Sequence, residues 1–209
     1  IKAEFAPWHY FFSWFLLTTP TIFSIIILMG VIYAFIFFFK NLFQIEVIKN
    51  NNLWREDYEM VLIFFLIITV IPIMSVIMFN STLYNGWRQL YFLYPSLILL
   101  GLFFLNFLKR VNVKYYKIFI VFFFLQSIFN IYSIYKNHPH QQVYFNILAN
   151  HYVKENFTLD FWGVSNTRTL RYLINNHSFE FPIKISSASF TDLNKSKLIL
   201  KKEDANKIK

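Results

Sequence analysis

The sequence predicts a membrane α-helical protein: about four transmembrane helices followed by a small extracytoplasmic α/β lobe. Three observations carry that expectation. Hydrophobic residues make up 56% of the 209 and aromatic ones 22%, whereas a soluble domain holds about 45–50% apolar residues. The excess is gathered into uncharged blocks, each close to the roughly 20 residues a helix needs to cross a bilayer. Hydropathy then falls sharply after Tyr135, and six lysines crowd the stretch from Lys195 to Lys209.

Taken in order, residues 1–18 contain "PWHYFFSWFLLT", whose Trp, Tyr and Phe content fits an interfacial segment leading into a helix. The membrane domain is expected over 19–135. Its first span covers 19–39, with Pro20 in the first turn, where a missing N–H costs nothing. The second covers 60–79 and holds Pro72, the expected site of a kink. The third covers 90–108 and the fourth 118–135. Gln126 and Asn130, four residues apart on the fourth, read as side chains that join helices. In 136–209, the expected soluble lobe with its Lys-rich tail, "VYFNILANHYVKEN" and "SNTRTLRYLINNH" have helical apolar spacing. "FEFPIKISS" alternates like a half-buried strand, and Pro182 places it at an edge.

Loop charges set the orientation. Lys109, Arg110, Lys114 and Lys117 lie between spans three and four, and Lys40, Lys49 and Arg55 between spans one and two; the loop between spans two and three has only Arg88. Basic short loops stay in the cytoplasm. Arg88, the aromatic N-terminal stretch and the lobe are therefore expected on the opposite side.

Several chemistries are excluded or left unsupported. Without cysteine, no disulfide, thiolate metal site or cysteine nucleophile exists. The net charge of +9 comes with no folded basic face of a known module, so nucleic acid is not an expected partner. No glycine-rich phosphate loop, nucleophile elbow or HExxH motif occurs. His138 and His140 stand two apart with no third ligand, so no metal site and no cofactor is expected. Ile1 in place of a methionine, and a run straight into an aromatic segment, lead to the expectation of a fragment of a larger polytopic chain.

The stretch "YNGWRQLYFLYP" holds the most informative charge. Arg88 is the only charged residue between Glu59 and Lys109. Two readings stand side by side: an arginine snorkelling at the lipid–water boundary with Tyr84, Trp87 and Tyr91 around it, or a planar guanidinium gripping an anionic group such as a phosphate. In the second reading Gly86 lets the backbone bend, and Gln89 and Tyr91 add neutral hydrogen bonds. Asp160, in "LDFWGVS", reads first as a turn or helix cap; the other reading is a sugar site in which Asp160 accepts from hydroxyls and Trp162 offers a stacking face.

The ordered set "PWHYFFSWFLLTTP", "YNGWRQLYFLYPSL", "VYFN" and "LDFWGVSNTRTLRYL" resembles the C-terminal half of GT-C membrane glycosyltransferases, the group of the protein O-mannosyltransferases and the lipid A aminoarabinose transferases. The resemblance implies many membrane helices and an active site on the periplasmic or lumenal face. It implies a polyprenyl-phosphate-linked sugar as donor, with direct transfer to an acceptor hydroxyl on a lipid, glycan or protein. It implies Arg88 as the donor-phosphate contact, with Tyr84, Trp87, Gln89, Tyr91, Asp160 and Trp162 as pocket candidates, and a bacterial inner membrane with the lobe in the periplasm. The family's acidic general base belongs to a first outer loop, expected upstream of Ile1. Relatives carry Asp and His around the Gly-Trp-Arg where this chain has Asn85 and Gln89. The competing expectation is a non-enzymatic transporter or flippase for lipid-linked sugars, a class that places ionisable residues inside its spans. The spans expected here contain none.

Overall fold

The computed structural model describes residues 7–44, 54, 56–83, 86–141, 144–149, 153, 156–157, 159–160, 163–176, 181–186 and 191–209. Two compact units divide the chain, the first Ile1–Ser133 with Phe145–Asn150, the second Ile134–Tyr144 with His151–Lys209.

In the first unit α1 (Tyr10–Thr18) leads into α2 (Thr21–Gln44), α3 (Asp57–Met78), a 3-10 helix (Arg88–Leu93), α4 (Tyr94–Val111) and α5 (Val113–Asn137), whose last residues pass into the second unit. Four of the apolar stretches are long and apolar enough to cross a membrane: Thr21–Phe43, Asp57–Met78, Arg88–Val111 and Val113–Asn137. They make this an integral membrane chain. Its outward side chains are apolar too, Ile36, Phe64, Ile71 and Phe124 among them. In hydrocarbon, such a surface carries no penalty, and helices associate through close packing and hydrogen bonds instead.

Both of those forces are visible. The most extensive packing joins α2 to α4. Gly30 makes it possible, because a Cβ there would stand 2.3 Å from the Leu100 carbonyl oxygen. Backbone therefore meets backbone at this crossing, which only glycine permits. Tyr33 stacks on Phe107 further along, with ring centroids 4.7 Å apart, so α2 and α4 run in the same direction. Between α3 and α4 the bond is polar: Thr69 Oγ1 and Ser96 Oγ lie 2.9 Å apart, both buried. Ser96 spends its one proton on the Leu93 carbonyl at 2.8 Å, so Thr69 is the donor of the pair.

α3 continues unbroken through Pro72 and starts earlier than the sequence suggested, at Asp57. That extension brings Glu59, buried, into the first turn of the span. Hydropathy drops at Glu59, but the helix does not end there, so Asp57 and Glu59 form its first turn just before the expected span of 60–79. In α5, Gln126 donates to Asn130 at 2.9 Å, a bond within one helix, and none of its residues is buried.

In the second unit, α6 (Asn166–Asn176), α7 (Leu193–Leu198) and α8 (Lys202–Ala205) enclose a small core of Leu170, Ile174, Leu200 and Ile208. The expected α/β character is corrected here. Among the described residues there is no strand, only a single parallel bridge between Ile183 and Ile208. Pro182 offers no N–H to extend a ladder, and among the described residues the pairing joins Ile183 and Ile185 to Lys207 and Lys209. Helical spacing in "VYFNILANHYVKEN" holds for only part of that stretch. Residues 144–149 form no helix, and Asn146 there gives its side-chain hydrogen bonds to the end of α1, whereas Val153 and Asn156 are helical and the remaining residues lie outside the described ones.

Candidate functional site

The 3-10 helix that opens the third span holds Arg88, Gln89 and Tyr91. Three residues per turn place every third side chain on one side. Trp87, Leu90 and Leu93 are accordingly buried, at 5%, 4% and 0% exposure, while Arg88, Gln89, Tyr91 and Phe92 are exposed. Arg88 and Tyr91, three apart, share a side; Gln89 shares another with Phe92.

Trp87 is the mount. Its indole meets the edges or faces of Phe11 and Phe15, both with centroids 5.6 Å away, and of Tyr91 at 4.7 Å. These contacts bury a large aromatic surface, the dominant packing term available to such a residue. Its polar corner is satisfied as well: Trp87 Nε1 donates to Thr18 Oγ1 at 3.1 Å, and Thr18 in turn donates to the Trp14 carbonyl at 2.6 Å. Gly86 precedes it at φ +78°, in the left-handed region that glycine enters without strain. The Tyr10 hydroxyl donates to the Gly86 carbonyl at 3.3 Å, and burial pushes that phenol above the ordinary tyrosine value.

α1 is thus the other half of the platform. Its last turn should leave carbonyls bare, since the residue that would bond Leu16 is Pro20, which has no N–H. Asn146 supplies the donors. Its Nδ2 donates to the Leu16 and Thr19 carbonyls at 2.5 and 2.6 Å, and its backbone N–H to Leu17 at 2.8 Å. Its own carbonyl side accepts from Leu148 N at 2.9 Å.

The expected site residues therefore separate. Arg88 and Tyr91 form one exposed pair; Gln89 lies beside them, and Trp87 supports them from below. Tyr84 and Trp162 fall outside the described residues. Asp160 belongs to the second unit. Its Oδ1 accepts from Val164 N at 3.0 Å, and its Oδ2 from Ser165 N at 2.8 Å and Ser165 Oγ at 2.5 Å. That is the cap of the turn before α6, and it occupies the carboxylate with the chain's own donors. His138 hydrogen-bonds Gln141, and among the described residues no three acidic or histidine side chains converge on a metal position.

Thr18, Tyr10 and Asn146 were not singled out from the sequence. A threefold apolar period in "WRQLYFL" and the proline two residues after Thr18 are the signals that point toward them.

An exposed arginine on the side of the 3-10 helix that also carries Tyr91, on an apolar mount at the end of a membrane span, suits an anionic head group. Comparisons with protein-family models, with curated proteins and with solved structures find no match to this chain.

Proposed function

We propose that this chain works in an integral-membrane glycosyltransferase of the GT-C type, moving a sugar from a polyprenyl-phosphate donor to an acceptor hydroxyl on the periplasmic face of a bacterial inner membrane. The observation that carries the reading is the placement of Arg88: an exposed cation fixed by its buried neighbour Trp87 at the head of a membrane span. In such a transfer the bond from the sugar's anomeric carbon to the phosphate oxygen breaks as the acceptor oxygen bonds to that carbon. The acceptor's proton goes to a general base, and the lipid phosphate leaves with added charge. A preorganised guanidinium lowers the energy of that charge as it forms. Fixing it in place before the reaction removes an entropic cost from the barrier. Tyr91, on the same side of the 3-10 helix, is placed to donate a further hydrogen bond.

The test is transfer of a labelled sugar from polyprenyl phosphate by the membrane-embedded protein. Arg88→Ala should abolish transfer and leave insertion intact. Normal transfer by that variant overturns the role of Arg88.

A second reading, a transporter or flippase for lipid-linked sugars, draws on one observation, the buried Glu59 within α3. Intramembrane carboxylates mark transport pathways in many membrane proteins. The labelled-sugar assay separates the two, since a flippase moves the donor across the bilayer without breaking its glycosyl bond.

A further inference from the structure

We infer that Asn146 is a positioning residue for Arg88, acting through α1 and Trp87; the inference rests on the donor-phosphate role proposed for Arg88. Asn146 lies 130 residues from Leu16 in the chain and is 7% exposed. It saturates three carbonyls in and just beyond the last turn of α1, those of Leu16, Leu17 and Thr19. Between them stands Thr18, whose hydroxyl receives the Trp87 indole N–H. The relay is short and made of rigid parts: Asn146 closes the end of α1, α1 presents Thr18, Thr18 orients Trp87, and Trp87 is the residue before Arg88.

Pro20 explains why the relay needs a distant partner. An ordinary helix end hands its last carbonyls to water or to the N–H groups of the following residues. Here the fourth residue after Leu16 is a proline, and the Leu16 and Thr19 carbonyls are shielded by the bundle. Without the carboxamide of Asn146 the Leu16 carbonyl loses that donor, and the Thr19 carbonyl keeps only the long bond from the Ser24 hydroxyl at 3.4 Å; a buried acceptor left short of donors destabilises the end of the helix. The end of α1 would then rearrange toward water, carrying Thr18 with it.

Asn146 gives its hydrogen bonds to the end of α1 and not to Arg88 or Tyr91, so its effect differs from that of a binding residue. Loss of the carboxamide should loosen Trp87 and misplace Arg88 while leaving the four spans inserted. The telling measurement is hydrogen exchange at the Trp87 indole N–H, alongside sugar transfer, in Asn146→Ala and in Asn146→Ser, which keeps one donor. Exchange in Asn146→Ala should rise about tenfold, the change expected from loss of roughly one net hydrogen bond. Transfer efficiency should fall in step, mainly through a higher KM for the lipid-linked donor, and Asn146→Ser should lie between. Unchanged Trp87 exchange in either folded variant overturns the relay. So does unchanged transfer by Asn146→Ala when Arg88→Ala is inactive. If instead Arg88→Ala transfers normally while Asn146→Ala frees the indole, the proposed function falls and the mechanical link from Asn146 to Trp87 stands.

Discussion

Trp87 and Thr18 stand 69 residues apart in the chain and meet through a 3.1 Å hydrogen bond from indole to hydroxyl. The bond closes the wedge between α1 and the start of the third span. Its strength is open to a double-mutant cycle with Trp87→Phe and Thr18→Val, followed by unfolding in micelles. The coupling should come out at about 0.5–1.5 kcal/mol, the usual net worth of a neutral hydrogen bond. Strict additivity of the two variants would show that packing against Phe11 and Phe15 alone holds the indole.

At the crossing of α2 and α4, a methyl group on residue 30 has no room beside the Leu100 backbone, 2.3 Å away. Gly30→Ala should therefore destabilise the bundle by about 3 kcal/mol or more, the upper end for overpacking. Gly101→Ala meets the Ile26 side chain at 3.1 Å and its backbone at 3.5 Å and should cost distinctly less. Thermal unfolding of the two variants side by side checks the order.

Arg88→Lys separates charge from shape. Lysine keeps the positive charge but loses the planar two-pronged fork that matches a phosphate. Transfer should survive at a level reduced about tenfold, a gap of about 1.4 kcal/mol. Full activity would mean that charge alone suffices at this position.

Stability should fall in strong alkali. The Tyr10 phenol is held above its ordinary value, mainly by burial, and Tyr144 is raised by burial as well. In the folded protein both keep their protons at a pH where the unfolded chain has begun to lose them. Their contribution is complete below the unfolded value of about 10 and declines as pH rises through the higher folded values. Tyr10→Phe should flatten part of that decline in a pH series of unfolding measurements.

Asp160→Asn should loosen the start of α6. An amide nitrogen in place of Oδ2 cannot accept from Ser165, so amide exchange at Ser165 should quicken. A cost of about 1 kcal/mol in the local stability of the second unit is expected for such a lost cap.

Spans are legible in this sequence because a bilayer filters for length and apolarity, both local properties. Asp160 was legible as a cap for the same reason: the donors it meets, Val164 and Ser165, lie within five residues. Trp87 was not. The sequence offered it as a boundary aromatic or a pocket wall, and only the arrival of Phe11 and Phe15 from a distant helix shows that the ring is already covered. Asn146 is harder still, since its partners lie 127 and 130 residues back. The period of three across Trp87, Leu90 and Leu93 was present in the sequence, yet it is too short to stand out beside an 18-residue α-helix. The strand expected near Pro182 reduces, among the described residues, to a short pairing of Ile183 and Ile185 with Lys207 and Lys209, since Pro182 has no N–H to carry a ladder further.

The parallel run of α2 and α4 bears on how the chain is made. During synthesis α2 and α3 enter the bilayer before α4, yet the notch at Gly30 fits only the backbone of a helix that has still to emerge. Until Leu100 has left the insertion machinery, lipid tails must line that notch, and they fill it poorly. A nascent chain halted after α3 would be a recognisably unfinished object to the cell's quality control, even with α2 and α3 fully threaded.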